Sequence, residues 1–296
     1  MLHDPITAQG LDYAPCHYGT SRLRFRGPQA APSPDALAFV GGIETFGRFT
    51  PDPFTTQIAR MLGRPCLNLG VPNAGPDLLL GDPSLIDICN NVAATILQIP
   101  GALNLSNRFY SVHPRRNDRF TGASEAARAA FPKIDFTEFT FTRHLIGTLW
   151  RRDPRAFTDL RQELQQAWVD RMTQLIAQIE TPLILLWLSD TPPRPSASDK
   201  GADPLTRDPA LVSQEMMARI APPAAALVTV LPTEAEIAKG QTGLVVPTAE
   251  RTAANRMLGT EAHRMTADAL TGVLEQIGLG ALGATSNPGE TTMESD

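Results

Sequence analysis

The sequence predicts an α/β domain built on a doubly wound, mainly parallel five-stranded sheet. Three observations carry that expectation. Five short apolar runs, at 36–42, 66–70, 93–99, 182–188 and 225–231, are separated by segments of helical or loop character. The fourth run, PLILLWL, is apolar on both faces, as a strand covered on both sides requires. Strands that alternate with helices need right-handed crossovers, and these place helices on both faces of a single sheet.

In chain order, residues 1–35 hold scattered prolines, the cationic stretch SRLRFRG and the loop composition QAAPSPD, and read as a leader packed on the domain. ALAFVGG (36–42) is the first strand, FTTQIARML (54–62) a short helix, and CLNLG (66–70) a strand that ends in the turn VPNAG. PSLIDICNNV reads as a helix, and AATILQI (93–99) as a strand stopped by Pro100 and Gly101. From 157 to 179, Phe157, Leu160, Leu164, Trp168, Met172, Leu175, Ile176 and Ile179 recur mostly at steps of three or four and give one apolar helical face. A helix in PALVSQEMMARI, the strand AALVTVL (225–231) and a last helix through Met265, Ala269, Leu270, Val273 and Ile277 complete the domain at about residue 280. Residues 281–296 read as a disordered acidic tail. Residues 105–156 interrupt the alternation as a basic insertion of helix and loop.

Composition narrows the function. With 42% hydrophobic and 19% charged residues, the 296-residue chain can bury a large core. A net charge of -5 gives no global attraction to nucleic acid. The start has no cationic segment followed by an apolar one, and no later run is long enough to span a bilayer, so a soluble, cytoplasmic protein is expected. Cys16, Cys66 and Cys89 lack CxxC spacing and read as buried thiols. HExxH, HxH and strand-linked GxGxxG patterns are absent, so no metal or other cofactor is expected.

The stretch FVGGIETFGRF (39–49), where an apolar strand turns into a helix, is the first candidate site. Gly42 and Gly47 have P-loop spacing, but Arg48 and Phe49 stand where a lysine and a magnesium-binding hydroxyl are needed. A tight turn whose glycines serve only the backbone explains the same residues.

GGIETFG also resembles the GDSxTxG motif of the SGNH, or GDSL-type, esterase superfamily at Gly41, Thr45 and Gly47. NLGVPN (68–73) resembles that family's NxGxxG turn, GALN (101–104) its GxND turn, and GTEAHRMTADAL (259–270) its DxxH element, all in family order. The resemblance implies a flavodoxin-like, SGNH-type fold, with Asn104 as an oxyanion donor and His263 as acid or base. It also implies losses: Ile43 stands at the nucleophilic serine, Gly42 at the neighbouring aspartate, Thr260 at the aspartate that orients the histidine, and Asn73 at the oxyanion-hole glycine. Glu44 and Thr45 are the nearest replacement groups, Glu44 through a pairing with His263 and Thr45 as a hydroxyl or a helix cap. The chain further resembles an uncharacterised bacterial domain family carrying GGxETxG, NRFYxVHPRRNDRF and FTEFxFTRH.

The insertion carries ten lysines and arginines against five carboxylates. Its NRFYSVHPRRNDRF segment suggests an anion site made by Arg108, His113, Arg115 and Arg116, with Gly42, Ile43 and Asn73 lining the same cleft. The phenylalanines of FTEFTFTRH read as core and His144 as structural, with His3 and His17 unassigned. These features lead to two expectations: a diverged hydrolase or acyltransferase acting on an acylated or anionic carbohydrate, or a non-catalytic protein that binds such a ligand. Neither nucleic acid nor membrane is an expected partner, and the sequence leaves the oligomeric state open.

Overall fold

A computed structural model describes residues 10–199, 201–240, 242–255 and 257–282. His3 and the expected tail from 283 onward lie outside them. The strands are β1 (Leu37–Gly41), β2 (Cys66–Gly70), β3 (Ala94–Gln98), β4 (Tyr110–His113), β5 (Arg116–Ala123), β6 (Leu183–Leu188) and β7 (Ala226–Val230). Five of them form one sheet in the order β2-β1-β3-β6-β7, with every pairing parallel. This is the doubly wound α/β sheet that the apolar runs predict.

The helices are α1 (Ile43–Phe46), α2 (Phe54–Leu62), α3 (Pro76–Leu80), α4 (Pro83–Cys89), α5 (Glu125–Ala130), α6 (Thr142–Arg152), α7 (Ala156–Ala177), α8 (Gln214–Ile220), α9 (Glu234–Ile237), α10 (Arg251–Ala254) and α11 (Thr260–Gln276). Strand pleating sends alternate residues to opposite faces, and the core divides accordingly. Leu37 and Phe39 pack with Phe54 and Ile58 of α2 and Leu270 and Leu274 of α11. Ala38 and Val40 face a larger layer with Leu78, Leu85, Trp168, Met172 and Met216. Among the described residues, no helix is long and apolar enough to cross a membrane.

The insertion departs from the helix and loop expected of it. Its first half is an antiparallel hairpin, β4 with β5, and polar and apolar residues alternate along β4. Asn117, fully buried, ties the hairpin to the sheet layer: its Oδ1 accepts from the Gly75 N–H (3.1 Å) and the Leu78 N–H (2.8 Å), capping α3 from a distant strand. Phe136 and Phe139 are core, as expected, but Phe141 is 42% exposed, with the Arg119 guanidinium 4.5 Å from its ring centroid. His144 is exposed beside Phe139. Only Cys89 is a fully buried thiol, because Cys16 and Cys66 sit at partly open edges.

Before β1, Tyr18, Leu23 and Phe25 join the larger core layer. Arg26, itself buried, donates to the carbonyls of Phe46, Gly47 and Pro51 and so holds the backbone just beyond α1. After β7 the chain runs through α9 and α10 back to α1, attached by the Arg48–Glu250 ion pair and a Val245 N–H to Phe49 O bond.

Candidate active site

In a sheet of this order the connections leave in opposite directions from β1 and β3, and the crevice between their carboxyl ends is where such folds bind ligands. A cavity of about 1130 Å³ opens there. Its floor is made by Gly42, Ile43 and Glu44 after β1 and by the 98–104 turn after β3. One wall comes from the insertion through Asp118, Phe141, Thr142 and Arg143, and another from Ser189, Asp190 and the 203–210 loop after β6.

The floor is tied to β3 by Gln98, a polar residue ending an apolar strand, which binds the turn opposite. Its Oε1 accepts from the Gly42 N–H (3.2 Å), the Thr45 N–H (3.1 Å) and the Thr45 hydroxyl (2.6 Å). Thr45 is therefore a buried structural hydroxyl that does not line the cavity. Ile43 does line it and offers only hydrocarbon.

Glu44 is the chemically distinctive residue. Its Oε1 accepts from the Leu258 N–H at 3.2 Å, and its Oε2 lies 3.8 Å from Nε2 of His263. Burial pushes the Glu44 carboxyl up to about 8, opposed by the Leu258 bond and reinforced by the charge of Asp208. His263 is buried behind it, off the cavity, with its ring stacked on Phe54 at 5.7 Å. Burial pushes this imidazole down to about 4; the charge of Arg26 acts in the same direction and Asp52 opposes it. The two groups are thus a neutral acid beside a neutral imidazole at pH 7, and 3.8 Å is too long for a direct hydrogen bond. Nδ1 of His263 accepts from the Phe54 N–H at 3.4 Å, which places the ring proton on Nε2. Nε2 has no hydrogen-bond partner among the described residues.

The cavity gathers Gly42, Ile43, Glu44, Asn73 and Asn104 of the residues singled out from sequence. Asn104 is already committed: its Nδ2 donates to the Asn73 carbonyl (3.1 Å) and its Oδ1 accepts from the Thr142 hydroxyl (2.7 Å). The expected anion site is not assembled. Arg115 and Arg116 flank the exposed hairpin turn, His113 Nδ1 accepts from the Arg115 N–H, and Arg108 pairs with Glu163 of α7 at 3.5 Å. None of the four lines the cavity, because burial of Asn117 turns that end of the hairpin outward.

Sequence reasoning missed Gln98, Asp118, Phe141, Arg143, Asp190 and the 203–210 loop. Gln98 and the Ser189–Asp190 pair carried a usable signal, being polar residues at the carboxyl ends of buried strands. The loop carried none, since it has no periodicity.

No curated protein matches this sequence. Among solved structures, the chain is similar to a carbohydrate esterase family 2 enzyme with a carbohydrate-binding domain from Corynascus thermopiles (Myceliophthora fergusii). That match has 12% identity and a TM-score of 0.39 and covers 86% of this chain and 69% of the other. It is also similar to the lipase Lip_vut3 from a goat rumen metagenome, at 10% identity and a TM-score of 0.39 over 80% of this chain and 96% of that one. The family model described as domain of unknown function (DUF6473) matches residues 1–278, and the chain belongs to that family.

Proposed function

We propose that the protein is a hydrolase acting on an acylated carbohydrate, with Glu44 as the group that transfers protons and the Leu258 N–H holding its carboxyl in place. One feature carries this reading: a buried carboxyl, pushed up to about 8 by burial, borders a large cavity at the switch point of the sheet. His263 Nε2 already bears its proton, so the Glu44 acid proton has no acceptor on the imidazole and is available to a ligand oxygen. Without a nucleophile at Ile43, the attacking group is water. Water adds to the acyl carbon, Glu44 gives its proton to the leaving oxygen, and the proton of the water returns to the Glu44 carboxylate. Phe141 offers an exposed ring against which a sugar can stack.

A screen of aryl esters and acetylated oligosaccharides with Glu44→Gln tests the reading. Turnover is expected to fall by roughly 10²-fold or more in that variant, the usual size of a lost acid–base group. In the wild type it is expected to decline as pH rises through about 8, where Glu44 loses its proton. Unchanged turnover in Glu44→Gln would refute the assignment. A second reading, a protein that binds such a ligand without turning it over, draws support from the apolar Ile43 and the committed Asn104 amide. It prevails if the folded wild type cleaves none of these substrates.

A further inference from the structure

On the premise that this cavity holds the acyl group of the proposed function, the addition of water leaves one charge without a partner. The carbonyl oxygen becomes negative as water adds, and a donor aimed at it lowers the barrier. Asn104, the residue expected there, has its amide held between the Asn73 carbonyl and the Thr142 hydroxyl. Gln98 is different. It is only 9% exposed, and it lines the cavity at the carboxyl end of β3. Its Oε1 receives the N–H groups of Gly42 and Thr45 and the Thr45 hydroxyl. Backbone N–H groups can only donate, so the amide is fixed with its oxygen on the turn and its nitrogen away from it. Nε2, with two protons, makes no hydrogen bond to a described residue. Gly41 leaves the room for this arrangement, because a Cβ there would stand 2.8 Å from the Gln98 Oε1.

From this arrangement we propose that the Gln98 side-chain amide donates, through Nε2, to the acyl carbonyl oxygen of the ligand and to the negative charge that this oxygen gains. Gln98 bonds residues 42 and 45, which bracket Glu44, so one turn holds the donor and the acid at the same cavity. Three hydrogen bonds into Oε1 draw electron density from the amide and make its N–H groups better donors. In the reaction, a water oxygen bonds to the acyl carbon and the carbonyl electron pair moves onto the oxygen at Nε2. That pair returns as the bond to the leaving oxygen breaks; the leaving oxygen takes the Glu44 proton, and the proton of the water replaces it on Glu44.

Turnover is measured on para-nitrophenyl acetate, and binding on phenyl methylphosphonate, a stable tetrahedral anion shaped like the addition intermediate. Gln98→Glu keeps an oxygen for the three donors of the turn and replaces the NH2 with a second oxygen. It is expected to weaken phosphonate binding at least about tenfold and to lower kcat roughly 10²-fold with KM little changed. Thr45→Val makes the opposite change, removing one bond to Oε1 and leaving Nε2 in place. Its Tm should fall while its phosphonate affinity holds. A third measurement needs no variant: in proton–nitrogen correlation spectra of the wild type, the Gln98 side-chain amide pair should move downfield as the phosphonate saturates. An amide pair that stays in place, an unchanged affinity in Gln98→Glu, losses of affinity that merely follow losses of Tm in the two variants, or no phosphonate binding would each overturn the proposal. The acid–base reading is decided separately, by the turnover of Glu44→Gln, so its failure and the failure of the Gln98 assignment are told apart.

Discussion

At the scale of single residues, the histidine matched to the SGNH pattern shows how a retained side chain differs from a retained role. A triad base needs an unprotonated Nε2 facing the nucleophile, with a carboxylate receiving the proton on Nδ1. In this fold Nδ1 is an acceptor, held by the Phe54 N–H, and Thr260 directs its hydroxyl to the Thr242 carbonyl (3.4 Å). The tautomer is therefore the reverse of the one a triad requires. It follows that Ile43→Ser, which restores the missing hydroxyl, will not restore ester cleavage by itself. The expected result is activity on aryl esters within about tenfold of the wild type, where an operating triad adds many powers of ten. A gain beyond about 10²-fold would mean that the imidazole reorients and that the tautomer assignment is wrong. Letter matches placed His263 next to the site, but its direction depends on a backbone amide at position 54, which no motif records.

At the scale of elements, the insertion illustrates what patterning conveys and what it leaves out. Its charge excess is plain in the sequence, and so is the buried character of Phe136 and Phe139. The direction in which the arginines point is set instead by Asn117, whose side chain accepts two amides of the α3 turn from within the hairpin. An asparagine amid three arginines reads as surface, and only the tertiary pairing makes it a cap. Asn117→Ala leaves two buried N–H groups without an acceptor, which costs about 1–3 kcal/mol each when unrelieved. A clear loss in denaturant midpoint is expected, together with faster amide exchange at Gly75 and Leu78. Arg115→Ala/Arg116→Ala, which removes only exposed charge, should stay within about 0.5 kcal/mol of the wild type. Similar losses in the two variants would show that the hairpin is not anchored through Asn117.

For the whole molecule, the sheet was legible because strands buried on both faces must be written as continuous apolar runs, and the site's location followed from where those runs end. The cavity walls were not legible, since the 203–210 loop and Leu258 are placed by contacts with no period in sequence. One consequence of that assembly is a global dependence of stability on pH. Glu44 has an ordinary value of 4.5 and is raised to about 8 in the fold, so between these values the folded state holds a proton that the unfolded chain has lost. Its contribution is present in full below 4.5 and is lost as pH rises towards 8. His263 behaves oppositely, because its value falls from 6.5 to about 4, and the unfolded chain takes up a proton first as pH drops. Its contribution is present above 6.5 and lost on acidification towards 4. The two slopes oppose each other between 4.5 and 6.5, which leaves a net loss between 6.5 and 8 from Glu44 alone. At 1.36 kcal/mol per pH unit for one proton, that loss is about 2 kcal/mol. Denaturant unfolding at fixed ionic strength should show this decline in the wild type and a flat profile over the same range in Glu44→Gln. A wild-type profile that is flat from 6.5 to 8, or one that declines equally in the variant, would mean that Glu44 is not protonated in the folded protein.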